Sequence, residues 1–247
     1  MAKESPGMKL SFVIPVYNEE KRIENTVQGV RDFAKKLTDE VEWIFVDDGC
    51  TDRTEQLAQG QLGEFHHRWI KLGHNQGKGR AVQRGMLEAR GDVVLFMDAD
   101  LSTPPEEYEQ LLKPLEEGYD IAVGSRGAGS HVLVHQIWLR ETMGRIFNRI
   151  ARLLTFKQIG DSQCGFKAFR REAAHRLFRL QKIAGFAFDA EIVFLAQKLG
   201  YRIAEVPITW VNSPDSKVRI IRDSVQMLVD LLRIRWLHLD LEKEQDR

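Results

Sequence analysis

Asp98 and Asp100 stand one residue apart in VVLFMDADLS, directly after an unbroken apolar run. Two carboxylates on the tip of a buried strand can hold a hard divalent cation, which prefers oxygen ligands and keeps positions open for phosphate. A DxD alone is common in loops. Here a second acidic pair, Asp47-Asp48, ends another apolar run, VEWIFVDDG, and gives the first pair weight.

Two chemistries use such a motif. In phosphohydrolases and phosphotransferases of the haloacid dehalogenase type the motif runs DxDx[TV] and its first Asp is a nucleophile; MDADLS matches except at Ser102. In nucleotide-sugar transferases the pair binds a metal that neutralises a departing diphosphate. The first chemistry needs its motif near the start of the domain. Three strand-like runs and Asp47-Asp48 precede it here, which favours the transferase.

The elements that must position these residues alternate. LSFVIPVYN reads as a buried strand with Pro15 near its end, where a missing N–H is tolerated. Ile23, Val27, Val30, Phe33 and Leu37 recur at helical spacing and predict a helix from Glu19 to Leu37. VEWIFVDDG, WIKLG, DVVLFMDAD and DIAVGSR predict further strands. TDRTEQLAQ, NQGKGRAVQRGMLEARG (a glycine-rich turn, then a helix ended by Gly91) and PPEEYEQLLKPLEEG predict the helices between them. Strands alternating with helices imply a mostly parallel sheet covered on both faces. Ligands bind beyond the carboxyl ends of such strands, where Tyr17, Asn18, Glu19, Asp47, Asp48, Asp98 and Asp100 all fall.

After Arg126 the pattern changes. GRIFNRIARLL sets apolar residues on one helical face and Arg145, Arg149 and Arg152 largely on another. This suits a helix packed on the core or one lying in a membrane interface. A last apolar helix, Ile220 to Leu239, is broken by Arg222, Asp230, Arg233 and Arg235 and is not expected to span a bilayer. We expect one α/β domain over residues 8–215 and a C-terminal amphipathic helical segment over 216–247.

A net charge of zero argues against a nucleic-acid binder. Between His131 and Lys182, however, eleven lysines and arginines face three carboxylates, which suggests an anionic partner there. Cys50 and Cys164 have no metal spacing and read as thiols of a reducing compartment. MAKESPGMKL lacks the apolar core of a signal peptide, and no apolar run reaches membrane-spanning length. The expected location is cytoplasmic, peripheral on the cytoplasmic face of a membrane.

VIPVYNEE, VDDGCTDRT, NQGKGRAVQRG and MDADLS together resemble glycosyltransferase family 2, in that family's order and spacing. Cys50 stands where the family more often has serine. GSR, GDSQCGFKAF, GFAFDAEI and SPDSKV look like its dolichyl-phosphate sugar synthase branch, the glucosyl members ahead of the mannosyl ones.

The resemblance implies a GT-A, Rossmann-like fold, a UDP-glucose donor with GDP-mannose second, and a polyprenyl or dolichyl phosphate acceptor. It implies that Pro15, Tyr17, Glu19, Asp47 and Asp48 hold the nucleotide, with Lys78 near its phosphates. Asp98, Ala99 and Asp100 would meet the nucleotide sugar, with Mg²⁺ or Mn²⁺ on Asp98 and Asp100 and Ser102 a weak third ligand. Arg126, Arg140 and Lys217 match cations near the phosphates. Asp161, Gln163 and Gly165 belong to an acceptor-facing loop. Asp189 and Glu191 either orient the acceptor or cap a helix.

A phosphate monoester acceptor carries roughly −1.5 to −2 charge and needs cations rather than a base. A hydroxyl acceptor on a saccharide or protein would need a general base, Asp161 or Asp189. A phosphohydrolase and a non-catalytic nucleotide-sugar binder are the readings from other classes.

Overall fold

In the first strand, β1 (Leu10–Val16), Leu10, Phe12, Ile14 and Val16 join one buried cluster and Val13 joins another, so successive side chains serve opposite faces of a sheet. The computed structural model describes residues 8–37, 40–127, 130–134, 159–211 and 220–241. β1 pairs in parallel with β2 (Val41–Asp47) and β4 (Val93–Met97), and β2 with β3 (Arg68–Lys71). β5 (Ile121–Ser125) pairs in parallel with β8 (Ile203–Pro207). β7 (Phe166–Arg170) runs between β4 and β5, antiparallel to both. The sheet order is therefore β3-β2-β1-β4-β7-β5-β8. β6 (His131–Val134) and β9 (Thr209–Val211) form a separate parallel ribbon.

Helices cover both faces, as continuous apolar strands require. On one side α1 (Ile23–Ala34), α2 (Thr54–Leu62) and α4 (Tyr108–Glu116) bury Val27, Leu62 and Leu111. On the other, α3 (Lys78–Glu88), α5 (Arg171–Leu180), α6 (Phe188–Lys198) and α7 (Ile220–Leu237) contribute Val82, Leu177, Phe188, Leu231 and Ile234 to a single cluster. Because β7 is reversed, its first residue lies beside the last residue of β4: Phe166 pairs with Met97. The carboxyl ends of β1, β2, β4 and β5 and the amino end of β7 thus share one edge.

Three expectations are corrected. The first helix begins at Ile23, not Glu19. The Glu19 carbonyl accepts the N–H groups of Arg22 and Ile23, and the Glu19 N–H donates to Thr54 Oγ1 at 2.6 Å, so residues 19–22 form a turn tied to the start of α2. The third helix stops at Glu88, with Ala89 already extended. Gly91 lies beyond it against β1, donating to Ser11 Oγ at 2.8 Å. The segment FKAFR, which no expected strand covered, is an interior strand that starts directly after the loop residue Gly165. Its lysine hid it: a five-residue run with charges at its second and last positions does not look like the centre of a sheet.

Candidate active site

Asp98 and Asp100 leave the end of β4 on a tight turn. The Asp98 carbonyl accepts the Leu101 N–H at 3.2 Å, with Leu101 at φ 50°, and Asp100 Oδ1 accepts the Ser102 N–H at 3.0 Å. Ala99 is buried, and its carbonyl accepts the Thr26 hydroxyl, which pins the turn to α1. Lys78 at the start of α3 reaches across to Asp98 Oδ1 at 2.6 Å. Burial pulls the Lys78 ammonium down, but Asp98, Asp189 and Asp100 outweigh it and leave its pKa raised.

Behind Asp98 lies Gly165. A Cβ there would collide with the Asp98 carboxylate, so only glycine lets the loop before β7 approach the acidic tip this closely. Two residues on, Lys167 is fully buried in β7. Its ammonium pairs with Asp189 of α6, donates to the Cys164 carbonyl and sits 5.0 Å from the centre of the Phe96 ring. Burial pushes the Asp189 carboxyl upward, against the pull of Lys167 and Lys78.

Asp189 and Glu191 fall in the first turn of α6, yet neither makes a side-chain cap. Glu191 is fully buried, accepts the N–H groups of Lys182 and Ile183 at 2.9 and 2.8 Å, and bonds His238 Nε2 at 2.7 Å. It joins α6 to the preceding loop and to α7.

Arg126 follows β5. Asp161 grips it from one side, through Nε at 2.7 Å and Nη2 at 2.9 Å, and the Trp210 ring lies 5.7 Å from its guanidinium carbon. Burial tends to raise the Asp161 carboxyl, but the Arg126 charge and hydrogen bonds outweigh it and bring it to about 2. The Gln163 N–H donates to Asp161 Oδ1, while its side-chain Nε2 is buried without a partner among the described residues. That orphaned donor faces no protein acceptor in the loop expected to meet the acceptor substrate.

The nucleotide-side residues gather at the ends of β1 and β2. Asp48 is wholly engaged: Asn75 Nδ2, Gln76 N–H and Gly77 N–H donate to it at 3.0, 2.7 and 3.0 Å. Burial pushes its carboxyl up despite those bonds. Asp47 Oδ1 accepts the Cys50 N–H at 2.7 Å, holding the turn after β2. Glu19 pairs with Arg22, Pro15 is half-buried in β1, and Tyr17 is exposed at the edge. The glycine-rich turn closes on protein: Gly77 adopts φ 100°, and a Cβ there would meet the Ala184 carbonyl oxygen at 2.6 Å.

One edge of the sheet therefore holds Asp98, Asp100, Lys78 and Arg126 within electrostatic reach of one another. Arg140 and Lys217, and the helix expected over GRIFNRIARLL, lie outside the described residues. Sequence reasoning missed Lys167 and Trp210 as parts of the site. Lys167 sits in a basic stretch and looks solvated, and nothing local announces that Trp210 backs Arg126. Among the described residues no three His, Cys, Asp or Glu side chains converge on a common metal position.

A reversed strand inserted in an otherwise parallel sheet, with two carboxylates on the carboxyl edge, is the architecture of a GT-A glycosyltransferase. Glucosyl-3-phosphoglycerate synthase from Mycobacterium tuberculosis, in a complex with Mn²⁺, UDP and glucosyl-3-phosphoglycerate, superposes with a TM-score of 0.69 at 23% identity, over 92% of this chain and 80% of that one. A family model for glycosyl transferase family 2 matches residues 11–178, and the chain belongs to that family. It is 36% identical to a dolichyl-phosphate beta-glucosyltransferase of Dictyostelium discoideum, over 93% of this chain and 75% of that protein. Against the human and yeast (Saccharomyces cerevisiae) proteins of the same name it is 35% and 34% identical, over 96% and 93% of this chain and 78% and 75% of those.

Proposed function

We propose that this chain is an inverting, metal-dependent hexosyltransferase that moves glucose from UDP-glucose to a polyprenyl or dolichyl phosphate, with GDP-mannose the second donor to test. The observation that carries this reading is its alignment, over more than nine-tenths of its length, with relatives named dolichyl-phosphate beta-glucosyltransferase. A β-linked product from an α-linked nucleotide sugar requires inversion at the anomeric carbon.

The site supports a phosphate acceptor on physical grounds. The two carboxylates considered as general bases are both committed: Asp161 holds Arg126, and Asp189 is buried on Lys167. A phosphate monoester needs neither, because it is already a nucleophile. It needs cations, and Arg126 offers one: with Nε and Nη2 on Asp161, its Nη1 has no hydrogen-bond partner among the described residues. Lys78 sits on the donor side beside Asp98. Tyr17, exposed where the strands end, has a ring face available for a nucleobase.

Asp98 and Asp100 fit Mg²⁺ or Mn²⁺ by donor type, as hard oxygen ligands oriented by their own turn. Two carboxylates supply only part of a coordination shell and leave the remainder for diphosphate oxygens and water. The ion, when bound, stabilises charge on the departing nucleoside diphosphate. A lipid acceptor places the reaction at a membrane surface, which we take to be the cytoplasmic face. No described helix is long and apolar enough to cross a membrane.

The test is transfer of radiolabelled sugar from UDP-glucose, and in parallel GDP-mannose, to a polyprenyl phosphate with Mn²⁺ or Mg²⁺, with Asp100→Ala as control. Lipid-extractable product from UDP-glucose, dependent on metal and lost in the variant, is expected. Donor turnover with no lipid product would reject the phosphate acceptor in favour of a hydroxyl one.

A further inference from the structure

Helix α7 and the turn after it carry an exposed apolar stripe. Val225, Val229, Leu232, Trp236 and Leu239 are exposed, and Leu232 and Trp236 keep 64% and 71% of their surface. Their spacing places them on one side of the helix, while Leu231 and Ile234 on the other side enter the core. Exposed Arg233, which also pairs with Asp230 at 3.3 Å, and exposed Arg235 flank the stripe. Its far end adjoins more positive charge. Leu241 lines a cleft of about 520 Å³ together with His175, Arg176, Arg179 and one carboxylate, Glu172, of α5. Arg176 and Arg179 are exposed and form no ion pair among the described residues.

The stripe is also fixed relative to the active site. The Lys182 ammonium donates to the Leu237 carbonyl, and His238 bonds Glu191, so the carboxyl end of α7 is held at the loop after α5. In that loop Gln181 Nε2 donates to the Gly79 carbonyl at 2.8 Å, one residue from the lysine that holds Asp98.

We propose that the face running from Val225 in α7 to Leu239 in the turn after it, with Arg233 and Arg235 beside it and Arg176 and Arg179 beyond its end, seats this protein on an anionic lipid surface. The inference rests on the reading that the acceptor is a lipid phosphate. The charge on the page favours this occupant over a second copy of the chain. A two-fold contact through the stripe would set Arg233 and Arg235 near their own counterparts, a like-charge arrangement. Lipid phosphates instead complement these arginines, and an amphipathic tryptophan beside them suits the boundary between headgroups and acyl chains.

The experiment is co-sedimentation of the full chain with phosphatidylcholine vesicles, with and without phosphatidylglycerol, in the absence of donor and acceptor. Binding should require phosphatidylglycerol and weaken with salt. Each arginine at such a surface is worth roughly a fivefold change in affinity. Arg176→Gln with Arg179→Gln should therefore cost more than about tenfold, and so should Leu232→Ser with Trp236→Ser, with unchanged thermal melting. Binding that is indifferent to both double variants overturns the proposal. So does a concentration-dependent dimer that the Leu232→Ser, Trp236→Ser variant abolishes, with no vesicle binding. Transfer to a short-chain polyprenyl phosphate in detergent separates the two readings. If it persists without vesicle binding, the docking surface falls and the acceptor stands; variant-sensitive vesicle binding without any transfer supports the surface and rejects the acceptor.

Discussion

The Lys78 ammonium lies 2.6 Å from Asp98 Oδ1, joining the first residue of α3 to the carboxylate at the tip of β4. Asp98 is thus a shared group, available to a cation from the protein or to one that arrives with substrate. A lysine poised on a metal-type carboxylate can turn to a diphosphate once that carboxylate is engaged elsewhere. Lys78→Met should raise KM for the nucleotide sugar by at least about tenfold, the scale of one lost charge-assisted bond. Initial-rate kinetics against donor concentration check it; an unchanged KM would remove Lys78 from the donor site.

Gly165→Ala puts a methyl group into the Asp98 carboxylate. Overpacking of this kind costs roughly 1–3 kcal/mol, and the strain falls on the acidic tip. Transfer activity should drop more than about tenfold while the circular dichroism spectrum stays native. Wild-type activity in this variant would show that Asp98 can move away without loss.

Asp161 makes stability depend on acid. Its folded value, about 2, lies below its ordinary 3.8. A depressed carboxyl contributes stability that is complete above the ordinary value and is lost as pH falls towards the folded one. That contribution is roughly 2 kcal/mol, lost between about pH 4 and pH 2. Asp161→Asn should be less stable at neutral pH by about 3 kcal/mol, since it strands Arg126. Its stability should also fall less steeply across the acid window. Urea titrations at several pH values measure both effects.

The buried Lys167–Asp189 pair predicts non-additivity. Asp189→Leu alone leaves an uncompensated ammonium inside the sheet and should cost about 3–5 kcal/mol. Lys167→Met with Asp189→Leu should recover most of that loss, because neither charge remains. Denaturant midpoints for the two singles and the double complete the cycle. A double variant that loses as much as the two singles added together would mean that the pair is not coupled.

Cys50→Ser is expected to leave stability within about 1 kcal/mol of the parent. Cys50 Sγ accepts the Asn18 N–H at 3.2 Å and faces the Val16 carbonyl at 3.8 Å, and a hydroxyl can serve both. Burial pushes both thiols up to about 12, so neither should react with an alkylating reagent near neutral pH until the chain unfolds. Thiol titration of native and unfolded protein tests this.

What the sequence determined alone is the frame and its chemical edge. Apolar runs alternating with helical periodicity imply a covered parallel sheet. The rule that ligands gather at the carboxyl ends then places Asp98 and Asp100 without coordinates. Those features are local, written within about ten residues of each other. The tertiary structure decided which groups surround the acidic tip. It inserted β7 backwards between β4 and β5, brought Gly165 under Asp98, and gave Lys167 a counter-ion 22 residues away. It also closed Asp161 on Arg126 across 35 residues and committed Glu191 to His238 across 47. A lysine can sit inside a sheet, and an aspartate can be a counter-ion rather than a base, only because a distant partner offsets the cost of burial. No pattern of neighbouring residues records where that partner is.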